Sequence, residues 1–445
     1  MATARVPDAS EPDVIVIGAG VIGSALAYEL SRRGLATLNL DALPSAGYGS
    51  TSNSSAIVRF TYSTVGGVSM AWEGLHYWRD WPGYLGRDEG DGGDLARLVS
   101  CGMALLDTPG GHAAKVMPLF DQLAIPYEHW DSDELERRMP LLDARVMGPP
   151  APVASEAFWA EPGERLAGAV WAPDAGYVVD PMLASRDLQL AAEAHGARFR
   201  FGTRVAGIQT RADRVSGVRL ADGSVVSAPV VVNVAGPDSG RVNELAGLAG
   251  TMAIRTRPMR QEVHHLPAPA GADGRPFDYL VADDDTGIYF RPEAGGSMVA
   301  VGSLEPACDE LEWLDDPDDY QHGVSKAGWE RQTLRLARRV PELRIPNRPL
   351  GIVGIYDVAE DWIPIYDRTD LDGFYVAIGT SGNQFKNAPI AAHAMAELIV
   401  AVEAGHDHEA DPVTVRGPYT SAELDLGVFS RNREINRDSS FSVNG

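Results

Sequence analysis

The sequence predicts an α/β fold of two domains that share one cleft, and three observations predict it. A chain of 445 residues exceeds the usual size of a single domain. Near its start a strand, a glycine turn, a helix and a second strand follow one another, the order of a doubly wound parallel sheet. Strand-like runs of period two gather later, between residues 261 and 302, as expected of a sheet packed on one face.

The first strand is 13–17 (DVIVI), almost wholly apolar and so suited to the middle of a parallel sheet. Gly18, Gly20 and Gly23 follow with GxGxxG spacing and open a helix over 21–33. Gly18 permits the tight turn, Gly20 lets a pyrophosphate approach the backbone, and Gly23 lets the helix lie close to the strand. Free N–H groups at the helix start then face the phosphates. Gly34 reads as the helix cap. The second strand, 36–40, ends at Asp41, placed to hold adenosine ribose hydroxyls and to repel the extra phosphate of NADP. Strand, glycines, helix, strand and acid in this order predict a Rossmann-like dinucleotide site.

Composition limits the partners. The net charge of -24 argues against nucleic acid or an anionic membrane as a ligand. Cys101 and Cys308 lie far apart and outside any CxxC pair, so neither a disulfide framework nor a zinc site is expected, and a cytoplasmic setting fits. Residues 1–12 lack the cationic start and apolar stretch of a leader. No run reaches the roughly 20 apolar residues of a membrane span. His264 and His265 are adjacent and point to opposite faces of a strand, so no metal site is expected there, and 283–285 (DDD) reads as a solvated turn.

The segment 49–59 (GSTSNSSAIVR), a small polar run just after the second strand, resembles the D-amino-acid-oxidase-type flavoprotein superfamily, near its sarcosine oxidase and glycine oxidase branch. The resemblance continues at Val205, at 230–239 (VVVNVAGPDS) and at 373–389 (GFYVAIGTSGNQFKNAP). It implies FAD as cofactor. The implied contacts are Ser50, Thr51, Ser54 and Ser55 around the diphosphate and ring, the Val205 backbone at adenine, and Ala235 and Gly236 at the returning turn. Gly379, Gly382, Asn383, Gln384, Phe385 and Lys386 form the last flavin loop. The helix expected over 390–404 would stabilise negative charge on reduced flavin.

These matches divide the chain into a discontinuous FAD-binding domain (12–84, 160–243, 347–411), an α+β substrate domain (85–159, 244–346) and a polar tail (412–445). Helices are expected at 94–106 and 132–139, and strands at 201–208, 261–266, 279–282, 287–291 and 297–302. The substrate-domain sheet would cover the flavin, and the tail would be a surface arm or a partner contact.

Flavin oxidation needs the reacting C–H held over N5, so a charged clamp on a substrate carboxylate is an efficient catalyst. The resemblance implies that Arg59 and Lys386 form this clamp. A salt bridge or phosphate contact is the plainer alternative for Arg59, and a surface position or a flavin contact for Lys386. Tyr62 and Tyr289 match family tyrosines near the substrate, and Arg260 and Gln261 match a strand beside the ring. The pattern also departs from the family. Ala300 falls where some sarcosine oxidases carry a lysine that helps reduced flavin meet oxygen, and Leu304 where they carry a histidine. Gly354 and Asn53 fall where covalent flavin attachment occurs, so FAD should be bound non-covalently.

The implied reaction is hydride transfer from a secondary or N-methyl amino acid to the flavin, giving an imine, with oxidase and dehydrogenase both open. A 2-hydroxy-acid dehydrogenase would use the same clamp, and a flavin subunit of a larger complex or a homo-oligomer also fits.

Overall fold

The computed structural model describes residues 11–87, 94–269 and 277–445. Val14–Ile17 is a strand with all four side chains buried. Apolar, β-branched residues with nothing polar to satisfy suit the centre of a parallel sheet. Thr37–Leu40 and Val230–Asn233 flank it in parallel, with Val16 opposite both Asn39 and Val232. Phe374–Ile378 adds a further parallel strand beside Val230–Asn233. Ile365–Arg368 closes that edge antiparallel, and Arg198–Arg200 closes the other in parallel, giving six strands. The helix Val21–Ser31 is buried along its whole length, against Pro181–Ala194 and Ala388–Glu403. Burial on all sides explains why it has no polar stripe.

The second sheet is mixed and has nine strands. Its longest, Thr256–Pro267, pairs with Gly351–Ala359, Met298–Ser303 and Glu312–Trp313. Ile288–Pro292, Leu280–Asp283, Met103–Asp107, Gly168–Ala172 and Glu128–Asp131 continue it. A cleft of about 1010 Å³ is lined from both sheets, at the carboxyl ends of the parallel strands, where doubly wound folds bind ligands. Among the described residues no helix is long and apolar enough to cross a membrane.

Several sequence-based expectations need correction. Residues 94–106 form no helix: Arg97–Ser100 and Met103–Asp107 are strands joined through Gly102 at φ +71°. Met103–Leu106 is buried without interruption, a pattern that a buried helix and a buried strand share. The strand expected at 201–208 is split into Arg198–Arg200 and Val205–Arg211, with Gly202 at φ +61° between them. Gly168–Ala172 and Gly351–Ala359, placed by sequence in the flavin domain, pair in the nine-stranded sheet. Local sequence specifies a strand but not the sheet that it joins.

The tail is not a surface arm. Thr414–Arg416 and Glu423–Asp425 form a hairpin, the Arg431 side chain is buried against Asp367, and Val443 and Asn444 enter the cleft. Nor is 283–285 a solvated turn. Asp283 and Asp285 are buried, and both bind Arg339, at 2.7 and 2.9 Å. Arg339 ends the helix Lys326–Arg339 and also donates to the carbonyls of Asp143 and Arg145, tying helix, sheet and loop together. Replacing Arg339 by Met strands two buried carboxylates, and a urea titration should show a loss of about 3–5 kcal/mol. A loss below roughly 1 kcal/mol, the value of an exposed pair, would mean that water reaches the cluster.

Candidate functional site

The cleft begins where the first strand ends. Gly18 has φ +115°, and a Cβ there would lie 2.4 Å from the Val234 carbonyl oxygen. A Cβ on Gly23 would lie 2.3 Å from the Gly18 oxygen. Both glycines therefore permit close backbone contact. Gly20 instead lines the cleft, where a Cβ would meet only the Thr51 hydroxyl, at 3.2 Å. It caps the helix Val21–Ser31 without a side-chain bond, and the first turn carries no acid. An anion is the natural partner of such a helix start.

Asp41 ends the second strand and lines the cleft, its carboxylate accepting from the N–H groups of Ala19 at 2.7 Å and Leu43 at 2.8 Å. Thr51 Oγ1 accepts from Val21 N–H at 3.1 Å, and the Ser50 hydroxyl donates to the Ile355 carbonyl at 2.7 Å. Ser54 Oγ accepts from Ala56 N–H, and Ser55 Oγ lies 3.0 Å from the Tyr289 hydroxyl. The small polar run is thereby fastened along the wall. Val205, Ala235 and Gly236 line the same end as Asp41.

The last loop is fixed from several sides. Gly379 (φ +68°) does not line the cleft; its N–H donates to Asp357 Oδ2 at 2.7 Å and sets the turn. Gly382 needs its own φ of +68° and the absence of a side chain, because a Cβ would lie 2.3 Å from the Tyr356 ring. Gln384 accepts from the Tyr366 hydroxyl and the Asn387 amide. Phe385 stacks on Trp78, whose Nε1 donates to the Lys386 carbonyl at 2.7 Å.

Arg59 and Lys386 meet at Tyr62. The Arg59 guanidinium lies 4.8 Å and the Lys386 ammonium 5.1 Å from the Tyr62 ring centre. Lys386 Nζ donates to the Tyr62 hydroxyl at 2.9 Å and to the Asn383 carbonyl at 2.6 Å. Arg59 donates to the Thr61 carbonyl at 2.6 Å and to the Val443 carbonyl. Tyr62 itself lies behind the cations rather than on the cleft wall. Burial, helped by Arg59, holds the Lys386 ammonium well below its ordinary pKa, and burial lowers Arg59 and pushes the Tyr62 hydroxyl up to about 12.

Seven cationic side chains are buried among the described residues. Arg260, Arg291, Arg335, Arg339 and Arg431 each have a carboxylate within ion-pair distance; Arg59 and Lys386 have none. Tyr289, Tyr356 and Leu304 line the same cleft. Ala300 is not on this wall: it pairs between His265 and Arg291, and the Tyr289 ring fills the space beside Gly302. Gly354 and Asn53 do meet on the wall, 3.3 Å apart as measured from a Cβ built on the glycine, and neither carries a nucleophile. Arg260 turns away to Glu262 and Glu312, whereas Gln261 lines the cleft. His264 is buried and bound to Gln332, and no group of three or more His, Cys, Asp or Glu among the described residues could hold a metal ion.

Sequence reasoning missed Tyr356, Val443 and Asn444 on the cleft wall, and Glu305, which does not line the cleft but binds the Val443 N–H. Tyr356 follows Gly354 in a strand, yet no local pattern says which face meets the cleft. The other three depend on how remote segments fold back.

The cleft suits FAD. Two glycines press the turn against its neighbour, a helix start whose N-cap glycine has no side chain lines the cleft, and Asn383 Nδ2 is buried with no partner among the described residues. Gly18, Gly20, Asp41 and Val205 would hold the nucleotide half, and 382–386 the ring half. The chain matches the family described as DAO, FAD dependent oxidoreductase, over residues 13–398. It is 28% identical over 353 residues to the tRNA 5-methylaminomethyl-2-thiouridine biosynthesis bifunctional protein MnmC of Azoarcus sp. (strain BH72), covering 77% of this chain and 48% of that protein. It is 25% identical to glycine oxidase of Geobacillus kaustophilus, covering 89% and 94% respectively. The solved L-proline dehydrogenase from P. horikoshii has the same fold, with a TM-score of 0.73 at 18% identity over 95% of this chain and 97% of that one. The chain spans about half the length, or less, of several curated relatives that it matches, 48% and 36% in two cases. With a match that runs from the first strand into the helix after Lys386, the chain belongs to the DAO family of FAD-dependent oxidoreductases.

Proposed function

We propose that this flavoprotein oxidises a carboxylate-bearing amine, a secondary or N-methyl amino acid, to an imine that water then hydrolyses. The observation that carries this reading is a pair of buried cations, Arg59 and Lys386, with no carboxylate within ion-pair distance among the described residues. An unpaired buried charge costs several kcal/mol, and a ligand carboxylate between the two would offset that cost. Arg59 supplies a planar fork for such a group. Lys386 has three donors and spends two on Tyr62 and Asn383, leaving one. Names of relatives agree with this reading, since glycine oxidase and L-proline dehydrogenase are named for amino acids.

Bound FAD supplies the hydride acceptor. The chain's own task is orientation. Arg59 and Lys386 fix one end of the substrate, while Tyr289, Tyr356 and Leu304 enclose the other and exclude water. Tyr62 holds the clamp together through its ring and hydroxyl.

Three outcomes test the reading. Arg59→Met and Lys386→Met should each weaken carboxylate-substrate binding by about 2–5 kcal/mol, measured by anaerobic bleaching of the flavin band against substrate concentration. Unchanged values in both variants would sink the clamp. An amine donor should release amine, ammonia or formaldehyde, whereas a hydroxy acid would release a keto acid alone.

The lowered Lys386 pKa also gives a pH limb. Carboxylate affinity should hold at pH below that pKa and fall as the ammonium loses its proton, well below the ordinary lysine value of 10.5. The limb should vanish in Lys386→Met, and a profile identical to wild type would remove Lys386 from the site. Finally, with Gly354 and Asn53 at the wall, acid or heat denaturation should release free FAD into the supernatant. Flavin that stays with the precipitate would show a covalent link elsewhere.

A further inference from the structure

Val443 and Asn444 line the cleft, and Val443 is held there by three kinds of contact. Its N–H donates to Glu305 Oε2 at 3.0 Å, and its carbonyl accepts from Arg59 Nη2. Its side chain packs in a buried apolar cluster with Met259, Leu304, Val358 and Trp362. The N–H, Cα and C=O of one residue are the skeleton of an α-amino acid. A carboxylate therefore receives the nitrogen end, a guanidinium receives the carbonyl end, and an apolar slot receives the side chain.

We propose that Val443 stands in the place of the substrate, so that the cleft takes an α-amino acid with an aliphatic side chain, its carboxylate on Arg59 and its amine on Glu305. This rests on the carboxylate reading of Arg59 given above and extends it to the amine partner and the side-chain class. Glu305 is built for a fixed position. It is buried, its Oε1 accepts from Gln261 Nε2 at 3.0 Å, and its backbone sits in the left-handed region at φ +49°. A non-glycine residue holds that conformation where the surroundings impose it, often at a ligand site. It forms no ion pair among the described residues, and burial pushes its carboxyl up to about 8. An ammonium or polarised amine is the partner that it lacks. The same placement makes 442–445 a competitor that the substrate displaces. Its other ties are modest: Asn444 Nδ2 to Asp284 at 3.3 Å, and Ser63 N–H to the Gly445 carbonyl at 3.2 Å.

The test uses the full FAD-loaded chain, reduced with dithionite so that ligands bind without turnover, and isothermal calorimetry as readout. The probes are N-methylvaline and isovalerate, which has valine's carboxylate and side chain but no amine. Glu305→Gln should weaken N-methylvaline about 10- to 100-fold while leaving isovalerate within about twofold, because binding an ammonium draws the Glu305 carboxyl into its ionised form and the amide cannot follow. Deleting 442–445 should tighten both probes at least severalfold, since a competing occupant is gone. Val443→Gly keeps the chain length, loosens the packed side chain and should tighten isovalerate in the same direction. Equal weakening of both probes by Glu305→Gln, or weaker binding after both the deletion and Val443→Gly, would overturn the proposal. Isovalerate that binds equally well to Arg59→Met would instead refute the carboxylate reading beneath it. Isovalerate that depends on Arg59 but ignores the loss of 442–445 refutes this inference alone.

Discussion

The parallel pairing of Val14–Ile17 with Val230–Asn233, and through it with Phe374–Ile378, is the constraint on which the rest of the structure depends. It brings together three stretches that are remote in sequence and aligns their carboxyl ends on one edge. The glycine turn after the first strand, Ala235 and Gly236 after the second, and the loop that follows the third all emerge there. Bare Gly18 against the Val234 carbonyl shows how tightly this edge is closed. Without that register Lys386 and Gly18 would not face one cleft, and no single cofactor could touch both.

On this edge the chain accepts costs that it avoids elsewhere. Its other buried cations have carboxylates, as in the cluster of Arg339 with Asp283 and Asp285. Arg59 and Lys386 are left with a tyrosine face and backbone carbonyls. A paired charge stiffens a fold, whereas an unpaired one holds affinity in reserve for a ligand. On the proposed reading, the contrast between these two kinds of buried cation separates structural from functional ion chemistry.

The nine-stranded sheet supplies the other wall, and its role is mainly exclusion. Tyr289, Tyr356 and Leu304 carry bulk and little charge, which lowers the local dielectric around the cations. These residues come from two strands and from the position just after a third, Met298–Ser303, all remote from the glycine turn of the nucleotide half.

The sequence by itself determined the nucleotide half. Residues 13–41 carry strand, glycines, helix and acid within one continuous stretch, and local backbone demands, such as the positive φ of Gly18, are written in the residue that meets them. The two cations and the last loop were also legible, because family motifs keep them in short runs. Tertiary structure alone decided the substrate half. Whether 103–107 is helix or strand, which sheet 351–359 joins, and that 283–285 is buried all follow from packing against distant partners. The same is true of Val443, a polar-flanked valine in the sequence and a residue bound to Arg59 and Glu305 in the fold. Contacts between remote segments leave no local period or composition to read, since their energy depends on surfaces that exist only after the chain has closed.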